Sequence, residues 1–319
     1  MAINMQHFIT LDDLPNWELT LTNMQELKAD PSIYKHIGQG KTIGLIFFNP
    51  SLRTRLSTQK AAKLLGFDVM VMNFSNEAWA IEYEDGTKME GIRSEHVREA
   101  AQVMSQYCDV LAIRAFASLT DKAADEAELV LQKFAAFASI PIVNMESATA
   151  HPLQALADAL TLTELNLQKR PKVVLTWAPH PKALPHAVPN SFIRMMRHMD
   201  ADFTICNPKG YDLNPAISRG IPVLHEQEEA LKDADIIYAK NWCSYEDYGK
   251  ILRKDSEWML TAEKMELTNE AKFMHCLPIR RNVVVADEVL DHPNSMVIEQ
   301  ANNRTFSAMA ILKMLCDHG

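Results

Sequence analysis

Short, β-rich apolar runs alternate with longer helical patterns along this chain, and part-way through the alternation starts over. The runs at residues 42–48, 67–73, 110–113 and 140–145 have the length and composition of buried strands. Helical patterns fill the intervals at 51–65, 95–107 and 123–137, and Gly66 stands where the first of them should stop. Strands joined through helices pair in parallel, and a parallel sheet needs cover on both faces. A helical pattern at 152–166 then opens a second series. Its strands are at 172–177, 202–206, 236–239 and 273–276, and its helices at 190–199 and 226–232. Residues 297–303 lead into a final helix at 305–315. The fold class expected is α/β, with two doubly wound parallel-sheet domains. One covers residues 1–147 together with a C-terminal helix, 304–319, that crosses back to it, and the other covers 148–303. With 319 residues, 47% of them hydrophobic, the chain can fill two cores of about 150 residues each. Pro179, Pro181, Pro185 and Pro189 crowd one short stretch, which cannot be helix interior, and its ordinary reading is a stiff surface loop.

Several function classes are set aside by composition. The formal net charge of -9 argues against a nucleic-acid partner, since a phosphate backbone needs a basic surface. No apolar run approaches the ~20 residues that span a bilayer, so no membrane is expected. The opening residues lack the basic and apolar regions of a secretory signal. Cys108, Cys206, Cys243, Cys276 and Cys316 are scattered and contain no C-x-x-C pair, which suits a reduced, cytoplasmic protein without a zinc site. No metal is expected, and no cofactor either, because both glycine-rich nucleotide fingerprints are missing.

A small anion could still bind this acidic chain if arginines were gathered locally. Phe47-Phe48-Asn49-Pro50-Ser51-Leu52-Arg53-Thr54-Arg55 joins a strand to a helix. Ser51 has the chemistry of an N-cap, and a helix start presents free N–H groups and a positive dipole end to an anion. Arg53 and Arg55 add guanidinium forks that match phosphate oxygens. Taken alone, the same pattern fits an ordinary capped helix with two solvated arginines.

Three further motifs follow in order: Ile113-Arg114-Ala115-Phe116, His151-Pro152-Leu153-Gln154 and His275-Cys276-Leu277-Pro278. With Ser51-Leu52-Arg53-Thr54-Arg55 they resemble the S-T-R-T-R, H-P-x-Q and H-C-L-P signatures of the aspartate/ornithine transcarbamylase family, with Leu52 in place of a threonine. The resemblance spans most of the chain. It implies that Ser51, Arg53 and Thr54, with the backbone at Leu52, hold the phosphate of carbamoyl phosphate. Arg114 and His151 would reach the carbamoyl oxygen. Gln154 and the backbone at Cys276 and Leu277 would hold the carbamoyl nitrogen, and Arg304 would complete the anion cage. Arg53, Arg114, His151, Gln154 and Cys276 are the implied catalytic set. Trp79 lies in the segment that, in related enzymes, enters a neighbouring subunit's site, which implies a homotrimer with active sites at subunit interfaces.

The D-x-x-x-S-M-G segment by which ordinary ornithine enzymes grip a free amino acid is missing. Its region reads Tyr238-Ala239-Lys240-Asn241-Trp242-Cys243, and the proline-rich Trp177-Ala178-Pro179-His180-Pro181-Lys182 stands out instead. This exchange resembles the branch of the family that uses ornithine with a blocked α-amine and carries a knotted loop, a rare feature. Trp177–Pro181 by sequence, together with Ala187-Val188-Pro189-Asn190-Ser191 and Met309, resembles the type that takes N-succinyl-L-ornithine for arginine biosynthesis; N-acetyl-L-ornithine is the alternative acceptor. Ser94 matches neither type, which carry proline or glutamate there. A glutamate would repel a succinyl carboxylate and serine would not. Lys240, His180 and Arg280 are candidates for the substrate's carboxylates, and Glu146 for its amide or amine end. Their ordinary structural readings are a salt-bridged lysine, a packed histidine, a solvated arginine and a hinge carboxylate.

Overall fold

The computed structural model describes residues 5–167, 170–254 and 256–316. Residues 1–4 and 317–319, which the sequence reading gave to the first domain, lie outside them. The chain forms two compact units. The first runs through Ser118, resumes at Ala123–Leu156 and takes in the chain from Arg304 onward. The second consists of Leu119–Lys122 and Ala157–Asn303. The last helix, Val297–Cys316, spans this division, so its second part belongs with the first unit.

The first unit contains β1 (Thr42–Phe47), β2 (Asp68–Asn73), β3 (Ala80–Glu82), β4 (Arg93–His96), β5 (Val110–Arg114) and β6 (Ile142–Glu146). Four of them make a wholly parallel sheet in the order β2-β1-β5-β6. Ile43, Leu45, Val110, Leu111 and Ile113 are fully buried in its middle, as a parallel sheet covered on both faces requires. Helices Val97–Tyr107 and Leu129–Phe137 lay Ala100, Ala101, Leu131 and Phe134 onto one core with Leu111, Ile113 and Ile142. The free edge of β6 is occupied by Phe8, whose N–H donates to the Ile142 carbonyl at 2.8 Å and whose carbonyl accepts from Asn144 at 2.8 Å. β3 and β4 pair only with each other, in parallel.

In the second unit, β7 (Lys172–Trp177), β8 (Asp202–Cys206), β9 (Val223–Leu224), β10 (Ile236–Lys240) and β11 (Lys272–Met274) form a parallel sheet in the order β11-β10-β7-β8-β9. Trp177, Trp242, Tyr238, Phe192 and Phe273 fill its core. The proline-rich stretch is a surface loop only at its tip, where Pro181 and Lys182 are exposed; Trp177 to Pro179 and Pro185 to Ser191 on either side are buried. Ala178 donates its N–H to the Lys240 carbonyl at 3.1 Å, Asn241 Nδ2 donates to the Ala178 carbonyl at 2.8 Å, and Cys243 N–H donates to the Leu184 carbonyl at 2.8 Å. Pro189 falls in the first turn of helix Ala187–Met196, where a missing N–H costs nothing.

The expected helix at 51–65 begins later, at Arg53, and Ser51 does not cap it. Leu52 occupies the cap position in helical geometry with no side-chain bond to the turn. Its far end is where Gly66 predicted. Gly66 N–H reaches the Lys63 carbonyl and Phe67 N–H reaches the Ala62 carbonyl, the paired bonds of a Schellman ending, with Gly66 at φ +90°. The single helix expected at 123–137 is two helices, Lys122–Glu126 and Leu129–Phe137, broken at Glu128 by a left-handed backbone.

Candidate active site

Arg114, Glu146, His151, Thr54 and Arg304, all in the first unit, converge at the carboxyl ends of β5 and β6 and the turn after β1. Between β5 and β6 the register slips: Ile113 pairs with Asn144, but Arg114 pairs with Glu146. Such an irregularity re-aims a side chain. Here it sets two buried groups side by side. Arg114 Nε donates to Glu146 Oε2 at 3.0 Å, and Nη2 lies 2.9 Å from the same oxygen. Arg114 Nη1 donates to the carbonyls of Asn49 and Pro50 at 3.2 Å each, and its guanidinium lies 4.9 Å from the Phe116 ring centre. The arginine is thereby fixed by the same strand-to-helix turn that carries Ser51, Leu52 and Arg53.

Arg304 arrives on the last helix. Its Nη2 donates to Thr54 Oγ1 at 2.6 Å and stands 3.5 Å from His151 Nε2. His151 Nε2 is 3.8 Å from Glu146 Oε2. Burial drives the His151 pKa down to about 3; Glu146 opposes the fall, and Arg304, Arg114 and Arg53 reinforce it. The imidazole is therefore neutral at any working pH. Burial would raise the Glu146 carboxyl, yet its pKa lies below the ordinary value. A neutral His151 contributes no charge to that result, so the pull comes from Arg114 and Arg304. The site is thus three guanidinium groups and one carboxylate around a neutral imidazole, with Gln154 buried one helical turn beyond. A cationic cluster at a helix start can receive an anion, and the fixed arginines can stabilise charge that develops beside it.

The second unit gathers His180, Lys240 and Arg280. Arg280 Nε donates to His180 Nε2 at 3.2 Å, and His180 Nδ1 lies 2.9 Å from the Lys182 carbonyl oxygen and 3.1 Å from the Lys182 N. Burial lowers the His180 pKa; the bond to the Lys182 backbone opposes the fall, and the charges on Lys240, Arg280 and Lys182 reinforce it. Cys276 is buried, and Leu277 follows with φ 54° and a cis bond to Pro278. The Leu277 N–H donates to His275 Nδ1 at 2.8 Å, the His275 N–H to Gln300 Oε1 at 3.0 Å, and Gln300 Nε2 to Asp158 Oδ1 at 2.7 Å.

Trp79 immediately precedes β3, and Ser94 lies on β4. Trp79 is 59% exposed and its indole N–H donates to Glu95 Oε2 at 2.7 Å; Ser94 is exposed. Sequence reasoning missed Asn49 and Phe116 as supports of Arg114. Asn49 Oδ1 accepts the Phe116 N–H at 2.7 Å. The signal available was an Asn-Pro pair closing a buried strand. It also missed that Glu146 is the partner of Arg114. Among the described residues no group of His, Cys, Asp and Glu is placed to hold a metal ion, and no helix is long and apolar enough to cross a membrane.

Fold and site together define a class: a doubly wound α/β protein whose first sheet ends in a buried cluster of arginines. Known proteins make that class specific. The domain described as "Aspartate/ornithine carbamoyltransferase, carbamoyl-P binding domain" matches residues 6–164, and "Asp/Orn binding domain" of the same family matches 186–315. The N-succinylornithine carbamoyltransferase of Bacteroides thetaiotaomicron is 46% identical over 98% of this chain and 99% of its own. The N-acetylornithine carbamoyltransferase of Xanthomonas campestris is 37% identical over 98% of each. A glutamate-to-serine variant of N-acetyl-L-ornithine transcarbamylase, complexed with carbamyl phosphate and N-succinyl-L-norvaline, superposes with a TM-score of 0.90 at 35% identity, covering 97% of this chain and 99% of that one. The chain belongs to the aspartate/ornithine carbamoyltransferase family.

Proposed function

We propose that this enzyme transfers the carbamoyl group of carbamoyl phosphate to the side-chain amine of N-succinyl-L-ornithine, giving N-succinyl-L-citrulline and phosphate, as a step of arginine biosynthesis in the cytoplasm. The observation that carries the reading is the cluster of Arg114, Glu146, His151, Arg304 and Thr54 against the turn at 49–53. Residues 1–147 and 304–319 form the carbamoyl-phosphate domain, and 148–303 the acyl-ornithine domain. Ser51, Arg53, Thr54 and Arg304 hold the phosphate. Arg114 and His151 meet the carbamoyl oxygen, and Gln154 with the backbone of Cys276 and Leu277 meets its nitrogen. His180, Lys240 and Arg280 receive substrate carboxylates, Glu146 faces the substrate's amide or amine end, and Ser94 leaves room for the succinyl group. The succinyl choice is supported by the 46% identity to a succinylornithine enzyme and by the N-succinyl ligand bound in acetylornithine-enzyme variants whose glutamate is replaced by valine, alanine, serine or proline.

In the reaction the neutral amine attacks the carbamoyl carbon, the carbonyl oxygen gains negative charge, and the C–O bond to phosphate then breaks. A preorganised donor at that oxygen is worth ~3–4 kcal/mol. His151 can donate a hydrogen bond there, but with a pKa of about 3 it is too weak a base to take the amine's proton. The departing phosphate takes it. A free side-chain amine titrates near ~10.4, so only about one molecule in a thousand is nucleophilic near neutral pH, and the rate rises into the alkaline range.

The active assembly is a homotrimer in which Trp79 reaches a neighbour's site; its exposure, with that of Ile92 and Met89 on the same lobe, supports this. The hydrogen bonds that lace residues 178–184 to 240–243 support a knotted path for the proline-rich loop. One experiment tests the function. Purified enzyme is given carbamoyl phosphate with ornithine, N-acetylornithine or N-succinylornithine in parallel, and the carbamoylated products are measured. Turnover is expected with the succinyl substrate above the other two; equal or greater turnover with either of those overturns the assignment.

A further inference from the structure

Glu128 lies outside every motif above, yet it grips the turn that sets His151. Its Oε1 accepts three hydrogen bonds: from Ser147 Oγ at 2.7 Å, from Thr149 N–H at 2.7 Å and from Thr149 Oγ1 at 2.6 Å. The turn between Glu146 and His151 closes on itself through Ser147 N–H to the Ala150 carbonyl at 2.8 Å. Ser147 Oγ has one proton and gives it to the carboxylate, while Asn144 Nδ2 donates to that oxygen at 3.0 Å. The four residues from 147 to 150 therefore hang from one carboxylate, with Glu146 at one end and His151 at the other.

The backbone makes the choice of residue pointed. Glu128 has φ 51° and ψ 37°, the left-handed region in which glycine is at ease and a side chain with a Cβ is not. Helix Leu129–Phe137 gets no side-chain cap from it. A glutamate kept where backbone preference asks for glycine is there for its carboxylate.

We propose that Glu128 is a positioning residue for carbamoyl transfer: by holding the 147–150 turn it fixes the separation of Glu146 and His151, and through Glu146 the aim of Arg114. The proposal rests on the function given above, because it is in that reading that His151 and Arg114 meet the carbamoyl oxygen. Displacement of a reacting group by ~1 Å can cost a rate factor of ~10², so loosening this turn should lower kcat more than it raises the KM for carbamoyl phosphate, whose phosphate is held elsewhere.

The test compares wild type, Glu128→Ala, Glu128→Gly and Glu128→Gln by steady-state kinetics and thermal unfolding. Glu128→Ala and Glu128→Gly should both lose ~10- to 100-fold in kcat. Glu128→Gly also relieves the left-handed backbone, so it should unfold at a higher temperature than Glu128→Ala while being equally slow. A purely structural role predicts the reverse, with activity recovering along with stability. Glu128→Gln keeps the accepting oxygen and should stay within about threefold of wild type. Should these variants fail to fold, Thr149→Ala, which removes one donor, should still lower kcat by ~3- to 10-fold. Unimpaired kcat in Glu128→Ala or Thr149→Ala, or activity that simply follows stability, overturns the proposal while a working wild type leaves the function standing. A wild type that transfers no carbamoyl group overturns the function, and this inference with it.

Discussion

Burial and three guanidinium neighbours leave His151 with a pKa of about 3, against 6.5 for an unhindered imidazole. Between those values the unfolded chain binds a proton that the folded site refuses, so stability rises with pH across the window. The contribution is complete above ~6.5 and is lost as the pH falls towards 3. Each pH unit is worth ~1.4 kcal/mol, so acidification from 6.5 to 5 should cost the wild type ~2 kcal/mol through this residue alone. Glu146 does not offset it, because its lowered carboxyl matters only below the ordinary carboxylate range. His7 and His180 are shifted in the same direction, so a variant is needed to isolate the effect. Urea titrations at pH 5 and 6.5 should show His151→Gln losing less stability than wild type over that interval; equal losses would place the proton elsewhere. Ser94 permits a different comparison. It is exposed on β4 and carries no charge. Replacement by glutamate sets a like charge against a succinyl carboxylate, so Ser94→Glu should shift the kcat/KM ratio towards N-acetylornithine by at least ~10-fold. If both substrates change by the same factor, position 94 is not the selector.

The helix Arg53–Leu64 shows how an element is specified more firmly at one end than at the other. At its close, Gly66 adopts φ +90°, and a Cβ built there would stand 2.1 Å from the Lys35 carbonyl oxygen. Gly66→Ala would meet both the left-handed penalty of ~1–2 kcal/mol and that clash with backbone, so a loss of at least ~2 kcal/mol is expected, read from a lower denaturant midpoint. An unchanged midpoint would mean the ending rearranges freely. The glycine was legible because only its backbone freedom fits the stop. The helix start was not legible: Ser51 has the right chemistry, but the turn is held by Arg114 on the Asn49 and Pro50 carbonyls, a contact from 64 residues away. The same division runs through the other elements. Buried parallel strands announce themselves as continuous apolar runs, and β7 and β8 lie where their runs put them. β3 and β4 are only three and four residues long, with Ile81 and Glu82 buried while Ala80, Arg93 and Ser94 face solvent, so no periodicity betrays them. The break at Glu128 escaped notice because a left-handed residue in a helical stretch normally shows as glycine or asparagine. What a local pattern encodes could be read; what a distant partner imposes could not, and most of the site geometry is of the second kind.

Both sheets deliver their candidate residues at the carboxyl ends of parallel strands: Arg114 and Glu146 close β5 and β6, Trp177 and Lys240 close β7 and β10. That is where open α/β sheets bind ligands, because the turns there face helix starts. The chain completes the first of these edges with its own far end. Arg304 meets Thr54 across 250 positions of sequence, in a molecule whose formal charge is -9. A negative whole repels an anion, so the site depends on the few guanidinium groups held in place. A charge-assisted bond contributes ~1.5–3 kcal/mol, which makes Arg304→Ala weaken carbamoyl phosphate binding by ~10- to 150-fold in calorimetry. Arg304→Lys keeps the charge but not the planar fork that reaches Thr54, so it should recover only part of the loss. The two variants separate field from geometry. Full recovery by lysine would mean that a positive charge on the last helix suffices; no recovery would mean that the fork to Thr54 carries the binding. Arg304→Ala binding as tightly as wild type would remove Arg304 from the proposed anion site, and with it the reason for the last helix to return to the first unit.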